Sequence, residues 1–453
     1  MKKRFDYDLI VIGSGDAGGE AALIAAKSGL KVAIVEAEKW GGTSLNNTNV
    51  PFGAAMHAAM TYKHALAGAR FGISSGNLRY NYPTLHNWKN TAAKNAGANS
   101  KKIFEDAKIT CINGRARFLS AHEVAVGSET LAAKKFLIAT GASVADTGIT
   151  IPENVDYYLP NDVVDIPRVP KSVFIVGAGS TGCEFAQYFA ALGSEVVIAD
   201  IAGRLLPRED EEVGQVLDEV FKKDRIKTLT QSRVVAIEKD GSEKRVLFMR
   251  GGQEKSIKVE AVVLCTGSAP NVDLGLDNAG VKYSRSGIKV DDTLQTSVKH
   301  IYAAGDVVGG KSSTEKAIID GRVAAAHIVD RSKKTVSYTG LIRVTNTYPE
   351  VAQVGTSEDD CIRRDRKIKK IVVPLQAVQK SNITNFYDGF VKLIFSKSGT
   401  LIGGTVMAPN AAIIAQELAF GVRYEMSANE IASVPHVAND WSELIRSAAE
   451  RIK

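Results

Sequence analysis

Residues Leu9-Ile10-Val11-Ile12-Gly13-Ser14-Gly15-Asp16-Ala17-Gly18 decide the reading of this chain, and Val173-Phe174-Ile175-Val176-Gly177-Ala178-Gly179-Ser180-Thr181-Gly182 repeats their grammar. Each is a β-branched apolar strand, a glycine-rich turn and the start of an alanine-rich helix, so each fits G-x-G-x-x-G in the context that gives the pattern meaning. The first glycine permits the tight turn, the second lets backbone approach a pyrophosphate, and the third lets helix pack on strand. Phosphate then sits at the positive end of the helix. At the expected distance each motif is followed by a second strand closing on an acid, Val32-Ala33-Ile34-Val35-Glu36 and Val196-Val197-Ile198-Ala199-Asp200. A carboxylate there accepts hydrogen bonds from adenosine ribose hydroxyls.

The motifs lie roughly 160 residues apart, which predicts separate domains rather than halves of one sheet. Two dinucleotides in one chain imply electron transfer between them. The runs Leu137-Ile138-Ala139-Thr140-Gly141 and Val263-Leu264-Cys265-Thr266-Gly267 recur as apolar strands closing on Thr-Gly, and Ile301-Tyr302-Ala303-Ala304-Gly305-Asp306 puts an acid just after a buried strand. From about residue 335 the pattern shifts to alternating strands such as Phe390–Phe395 and helices such as Ala411–Phe420, an α+β domain.

A length of 453 residues allows two to four domains, and 45% hydrophobic with 24% charged residues is the balance of a folded globular protein. Lys+Arg 57 against Asp+Glu 50 leaves +7, a mildly basic surface. The run Arg363-Arg364-Asp365-Arg366-Lys367-Ile368-Lys369-Lys370 leads into the strand Ile371-Val372-Val373, so it reads as a solvated edge and no nucleic-acid partner is expected. The basic start Met1-Lys2-Lys3-Arg4 precedes only a short apolar strand, so neither a signal peptide nor a membrane span is expected. The four cysteines, Cys111, Cys183, Cys265 and Cys361, form no C-x-x-C or C-x4-C pair, and the location expected is a reducing one, the cytoplasm. His57 and His64 share a helical face without an evident third ligand, so no metal site is expected.

Across essentially its whole length the chain resembles the FAD-dependent pyridine nucleotide-disulfide oxidoreductases, the family of dihydrolipoamide dehydrogenase, glutathione reductase and mercuric reductase. The matching stretches are Gly13–Gly18, Gly41-Gly42-Thr43, Ala139-Thr140-Gly141, Gly177–Glu184, Ala304-Gly305-Asp306, Tyr348–Gly355 and Ala408–Ala411. The resemblance implies two Rossmann-like dinucleotide-binding domains, for FAD and NAD, and an α+β C-terminal domain that makes a homodimer. The boundaries expected are 1–147 and 273–334 for FAD, 148–272 for NAD(H) and 335–453 for the interface. It implies an FAD set of Gly13, Gly15, Gly18, Glu36, Gly42, Thr43, Ala116, Thr140, Gly141, Asp306 and Thr314, with Glu36 on the ribose and Asp306 near the ribityl chain or pyrophosphate. The nicotinamide set is Gly177, Gly179, Gly182, Glu184, Asp200, Val234 and Gly267. Asp200 argues for NADH, because a carboxylate pairs with a ribose 2′-OH and repels a 2′-phosphate; nearby Arg204 keeps NADPH possible.

The chain departs from the family where the chemistry lies. A pattern like GGTCLNVGCIPSK reads here Gly41-Gly42-Thr43-Ser44-Leu45-Asn46-Asn47-Thr48-Asn49-Val50-Pro51-Phe52-Gly53. Ser44 and Asn49 replace both redox cysteines, and Gly53 replaces the lysine expected near flavin N5. The pattern resembling H-A-H-P-T-x-S-E reads His436-Val437-Ala438-Asn439-Asp440-Trp441-Ser442-Glu443, with alanine for the acid-base histidine. These losses belong together, because that histidine exchanges protons with a thiol. Glu184 loses its lysine partner, so burial should raise its pKa.

The reading that follows is an NADH-dependent FAD oxidoreductase whose flavin passes electrons directly to a quinone, an Fe(III)-type metal complex or a dye, a diaphorase rather than a lipoamide dehydrogenase. A transhydrogenase, an NADH oxidase, and a flavin-bearing sensor without catalysis stay open beside it. Ser44, Asn49, Glu184, His436 and Glu443 are the candidate catalytic residues, although a histidine placed like His436 is more often a structural hydrogen-bonding group. Trp40 and Trp441 flank the altered segments, either to stack on an acceptor or to pack locally. Anaerobic reduction with NADH should bleach the bound flavin without the long-wavelength thiolate-to-flavin band of dithiol enzymes, and that band appearing would overturn this reading.

Overall fold

Leu9, Ile10, Val11 and Ile12 are buried because their strand lies mid-sheet, with alternate side chains entering different cores. In the computed structural model, which describes residues 5–74, 76–310 and 312–452, Tyr7–Ile12 pairs in parallel with Val32–Glu36 on one side and Glu129–Ile138 on the other. The basic stretch Met1–Arg4 lies outside the described residues. Thr110–Asn113 and Ile301–Ala303 extend the parallel sheet, and Ala116–Ser120 and Glu123–Val126 join it as an antiparallel meander.

Ile10, Ile12, Val35, Phe136 and Ile138 face a core shared with Phe118 and Leu274, while Leu9, Val11, Ile34 and Leu137 face the helices. The two-residue side-chain period of a strand produces this split. On the helical side, Asp16–Lys27 packs against Thr314–Asp330. Small residues allow the approach: a Cβ at Gly321 would stand 2.4 Å from the Ala17 carbonyl oxygen.

The chain forms two compact units. One comprises Met1–Asp146, Leu159–Arg168 and Gly267–Ser337; the other comprises Thr147–Tyr158, Val169–Thr266 and Tyr338–Lys453. The division differs from a simple three-domain cut, since the second nucleotide fold and the C-terminal segment share a unit. That unit holds a four-stranded parallel sheet ordered Lys227–Leu229, Glu195–Ala199, Ser172–Val176, Ala261–Leu264, and an antiparallel meander, Ser232–Val259. It also holds a five-stranded antiparallel sheet ordered Ile342–Thr345, Glu350–Gly355, Leu401–Ala408, Phe390–Ser396, Ile368–Pro374.

Phe390–Ser396 does not alternate between core and solvent as its pattern predicted. It is buried at every position from Phe390 to Phe395, Lys392 included, because neighbouring strands flank it and helices cover it. The basic run before Ile371 leads into the edge strand, where its charges reach water. Lys392 is fully buried and its ammonium meets Glu358 at 2.6 Å, Glu212 at 2.8 Å and Asp210 at 3.5 Å. Asp210, also fully buried, takes the Glu358 N–H at 2.9 Å and the Thr405 hydroxyl at 3.0 Å. Asp210 and Glu212 open the helix after the second nucleotide strand, so this cluster binds that fold to the C-terminal sheet.

Replacing Lys392 by Met leaves several acids facing one another around a buried carboxylate. The variant is expected to lose about 3–5 kcal/mol of stability, read as a lower denaturant midpoint.

Candidate functional site

The first glycine loop is a cradle only glycines can build. Gly13 has φ +103°, and a Cβ there would stand 2.3 Å from the Ala139 carbonyl oxygen; a Cβ on Gly18 would meet the Gly13 oxygen at 2.0 Å. Gly15 is different, since its nearest neighbour would be Gly42 Cα at 3.8 Å, leaving that side of the loop open to a phosphate. Gly42, at φ +70°, closes the other wall, its own Cβ direction blocked by Gly15 Cα at 2.6 Å. Glu36 ends the second strand and locks the loop. Its Oε2 accepts the Ser14 N–H at 2.8 Å and the Ser14 hydroxyl at 2.6 Å, and its Oε1 accepts the Glu38 N–H at 2.9 Å. Ser14 Oγ in turn accepts the Gly41 N–H at 2.9 Å. Ser14 went unread in the sequence; the signal was a small hydroxyl residue between two motif glycines.

Asp306 lies in the turn after Ile301–Ala303, held from behind by a buried ion pair. Lys316 Nζ reaches Asp320 at 2.7 Å, and Asp320 accepts the Gly305 N–H at 3.1 Å. Burial raises the Asp306 carboxyl above its ordinary value, with Lys316 and Ser312 opposing.

The altered segment forms two consecutive helices, Gly42–Asn46 and Asn49–Leu66. Asn46 secures the first, donating to the carbonyls of Trp40 at 2.9 Å and Gly42 at 2.8 Å. Ser44 and Asn49 both turn to Thr314, at the start of Thr314–Asp330. Ser44 Oγ lies 3.5 Å from Thr314 Oγ1, and Asn49 Nδ2 donates to it at 3.0 Å. Thr314 Oγ1 donates in turn to Asp16 Oδ2 at 3.2 Å. Where the family pattern has a covalent bridge, this chain has a hydrogen-bonded clasp. A Cβ on Gly53 would touch nothing within 4 Å, so the position is open.

The second glycine loop repeats the geometry of the first. Gly177 has φ +105° with its Cβ direction blocked by the Cys265 oxygen at 2.3 Å, a Cβ on Gly182 would stand 1.9 Å from the Gly177 oxygen, and Gly179 faces open space. Asp200 accepts the Ala178 N–H at 2.6 Å and the Ala202 N–H at 2.7 Å. Beside it lies a cleft of about 420 Å³ lined by Ala202, Gly203, Arg204, Pro207, Glu211 and Gln215. The Arg204 guanidinium is committed to Asp359 and to the Glu209 carbonyl at 3.1 Å. Open space at Gly15 and Gly179, with an acid at each strand end, fits a dinucleotide at each loop.

Glu184 lies one turn into the helix Ser180–Ala191. Its Oε1 accepts the backbone N–H of Asn346 at 2.6 Å and its side-chain amide at 3.0 Å. Although the residue keeps some surface, protein around the carboxyl pushes its pKa up to about 7, the two Asn346 bonds opposing. The same helix is fastened by Thr345 donating to Ser180 at 2.8 Å and by Gln187 exchanging bonds with the Tyr348 backbone at 2.7 and 2.9 Å. Asn346 and Thr345, uninformative in sequence, matter because folding brings their strand to this helix.

Other predicted residues have local duties. His436 Nε2 lies 2.7 Å from Glu417 Oε1 and its Nδ1 2.7 Å from the Val434 oxygen. Glu443 accepts the Asn439 N–H at 3.1 Å and bonds Arg446 at 3.0 Å. Trp40 donates to Asn113 at 2.8 Å and packs on Phe104, while Trp441 is buried with Phe386, so both indoles serve packing. Thr140 is tied to Asn271 through both its hydroxyl and its carbonyl. Gly141 and Gly267 adopt positive φ with open space around them, Thr43 is exposed, and Ala116 and Val234 are buried at or near strand starts. Burial raises all four thiols above the ordinary cysteine value, so none is poised as a thiolate. Among the described residues no three His, Cys, Asp or Glu side chains are grouped to hold a metal, and no helix is long and apolar enough to cross a membrane.

Residues 7–327 match the model of the pyridine nucleotide-disulphide oxidoreductases, and residues 342–449 match that family's dimerisation domain. Dihydrolipoyl dehydrogenase of Mycobacterium tuberculosis is 33% identical over 97% of this chain and 97% of that protein; the Geobacillus stearothermophilus enzyme is 30% identical over 98% and 96%. Among solved structures, LpdA from Mycobacterium tuberculosis superposes with TM-score 0.89 at 25% identity, covering 98% of this chain and 99% of that one. The Cu(II) complex of RclA, an HOCl-induced flavoprotein disulfide reductase from Escherichia coli, superposes with TM-score 0.89 at 22% identity and full coverage of both chains. The chain belongs to the pyridine nucleotide-disulphide oxidoreductase family, flavoproteins whose cofactors are FAD and NAD(H).

Because Glu184 titrates near 7 in the folded chain instead of 4.5, its contribution to stability is complete below pH 4.5 and is lost as pH rises through about 7. Replacing Glu184 by Gln should flatten that part of the stability profile, checked by thermal melts between pH 4 and 8.

Proposed function

We propose that the chain is an NADH-dependent FAD oxidoreductase that passes electrons from the flavin directly to a non-disulfide acceptor such as a quinone, an Fe(III)-type complex or a dye. The observation that carries this reading is the Ser44–Thr314–Asn49 clasp at the place of the family's dithiol. Hydroxyl and amide groups are not redox groups, so lipoamide reduction through a relay has no carrier here. FAD, when bound, supplies the two-electron exchange between nicotinamide and acceptor. The chain's part is to hold each dinucleotide by a glycine loop and a strand-end acid, and to leave room at Gly53 for a planar or hydrated acceptor. In this reading residues 1–147 and 273–334 hold FAD, 148–272 hold the nicotinamide dinucleotide and 335–453 form the interface.

Asp200 supports NADH over NADPH because its charge repels a 2′-phosphate. Arg204 does not counter it, being tied to Asp359 and the Glu209 carbonyl. We also propose a cytoplasmic homodimer. Phe420 and Tyr424 stack on each other while 61% and 71% exposed, and Ile413 and Val437 are equally open, an apolar face suited to a second copy.

Ser44, Asn49 and Glu184 remain the proposed catalytic set, with His436 and Glu443 engaged within their own domain. The test is anaerobic reduction of the holoenzyme by NADH, followed by ranking of acceptors by reoxidation rate. Quinone, ferric complex or dye should lead; nicotinamide analogues or dioxygen leading would favour transhydrogenase or oxidase, and a flavin that NADH does not bleach would favour a sensor. Gly53→Trp should slow acceptor turnover roughly tenfold or more by filling the opening, and full turnover in that variant would remove the acceptor from this place.

A further inference from the structure

We propose that Asp16 is the proton reservoir for the acceptor, delivering through the Thr314 hydroxyl to Ser44. The inference rests on the reading that the acceptor is reduced beside Ser44. A quinone needs two electrons and two protons to become a hydroquinone. A hydride equivalent from the reduced cofactor supplies both electrons and one proton, and the family's route for the other, through a thiol and a histidine, is missing here.

A hydroxyl has one proton to donate and two lone pairs to accept with. Thr314 Oγ1 uses all three: it donates to Asp16 Oδ2 at 3.2 Å, accepts Asn49 Nδ2 at 3.0 Å and faces Ser44 Oγ at 3.5 Å. With Asp16 ionised, the only proton of Thr314 points to the carboxylate, so Ser44 must donate to Thr314 and can offer a ligand only lone pairs. With Asp16 protonated the polarity reverses: Asp16 donates to Thr314, Thr314 donates to Ser44, and the Ser44 proton is released toward the acceptor. Asn49 is donor only at Thr314, so it fixes the hydroxyl without joining the exchange.

The balance is complete. The Ser44 O–H bond breaks as an O–H bond forms on the quinone oxygen; Ser44 takes the Thr314 proton, Thr314 takes the Asp16 proton, and half-buried Asp16 is reprotonated from solvent. The quinone is reduced by two electrons and the cofactor is oxidised by two. Burial raises the Asp16 carboxyl above its ordinary value, Thr314 opposes, and Glu315 and Asp306 add charge of the same sign, so Asp16 holds its proton more readily than a free aspartate. Glu315 shares the helix of Thr314, and Asp306 comes from the turn after Ile301–Ala303. A diphosphate in the Gly13–Gly18 loop adds more negative charge. Asp16 and Thr314 are positioning residues in this scheme, and of the three relay groups Ser44 is the one that meets the acceptor.

The test compares a soluble benzoquinone, which takes up protons, with ferricyanide, which takes an electron and none. NADH-reduced holoenzyme is mixed with each in a stopped-flow instrument. The quantity read is the ratio of quinone to ferricyanide reoxidation rates, which cancels differences in flavin content. Asp16→Asn and Thr314→Val should lower the ratio about 100-fold, and Thr314→Ser should restore it. In the unmodified chain the ratio should fall as pH rises through the Asp16 titration, and both impaired variants should lose that limb. Independently of turnover, infrared spectra of the oxidised holoenzyme should show a protonated-carboxyl C=O band that Asp16→Asn removes and Thr314→Val shifts. An unchanged ratio in Thr314→Val, or quinone and ferricyanide rates falling together, would overturn the relay. Ferricyanide turnover without quinone turnover in the unmodified chain would overturn it too while leaving the parent reading standing; failure with both acceptors would overturn both.

Discussion

A carboxylate at the end of a strand, hydrogen-bonded to the second residue of a glycine loop, is the contact on which both nucleotide folds rest. Glu36 takes Ser14 and Asp200 takes Ala178, at 2.8 and 2.6 Å from their backbone nitrogens. The bond holds the loop against the sheet, and loop N–H groups at the start of a helix are then aimed at a phosphate. The glycines make this geometry possible, since at Gly13 and Gly177 both the positive φ and the adjoining carbonyl exclude a side chain. Two loops built by one rule give a chain that handles two dinucleotides.

At the segment Ser44–Asn49 the family's pattern has a covalent redox device, and here its place is taken by a clasp on a threonine hydroxyl. A disulfide fixes two residues and stores two electrons; the clasp on Thr314 only fixes them. That separates the scaffold from the chemistry. Fold, loops and acids persist while the residues that carry the family's redox chemistry do not, so the fold by itself does not name the acceptor. At Glu184 the second unit meets a buried charge with local groups: Asn346 satisfies one carboxylate oxygen, and burial raises the carboxyl to about 7.

Much of this was legible along the chain. The strand-turn-helix grammar at Leu9 and Val173 announced both nucleotide folds, because glycine spacing and β-branched runs are local requirements. The replacement of cysteines by Ser44 and Asn49 was likewise plain. Where pattern misled, tertiary surroundings were the cause. Phe390–Phe395 read as alternating, yet Lys392 is buried because acids from the helix Glu211–Lys223 and from Glu358 come to meet it. A charge can be buried when its partners arrive from elsewhere, and spacing along one strand cannot report them.

By itself, then, the sequence determined the two dinucleotide loops, their acids and the absence of the dithiol, since each depends on residue type and short spacing. The tertiary structure alone decided that Ser44, Asn49 and Asp16 share one hydroxyl, that Asn346 answers Glu184, and that the Arg204 guanidinium in the wall of the cleft beside Asp200 pairs with Asp359. Those contacts join residues up to 298 positions apart. A hydrogen bond requires atoms to come within about 3 Å, and only the folded chain brings groups so distant in sequence that close.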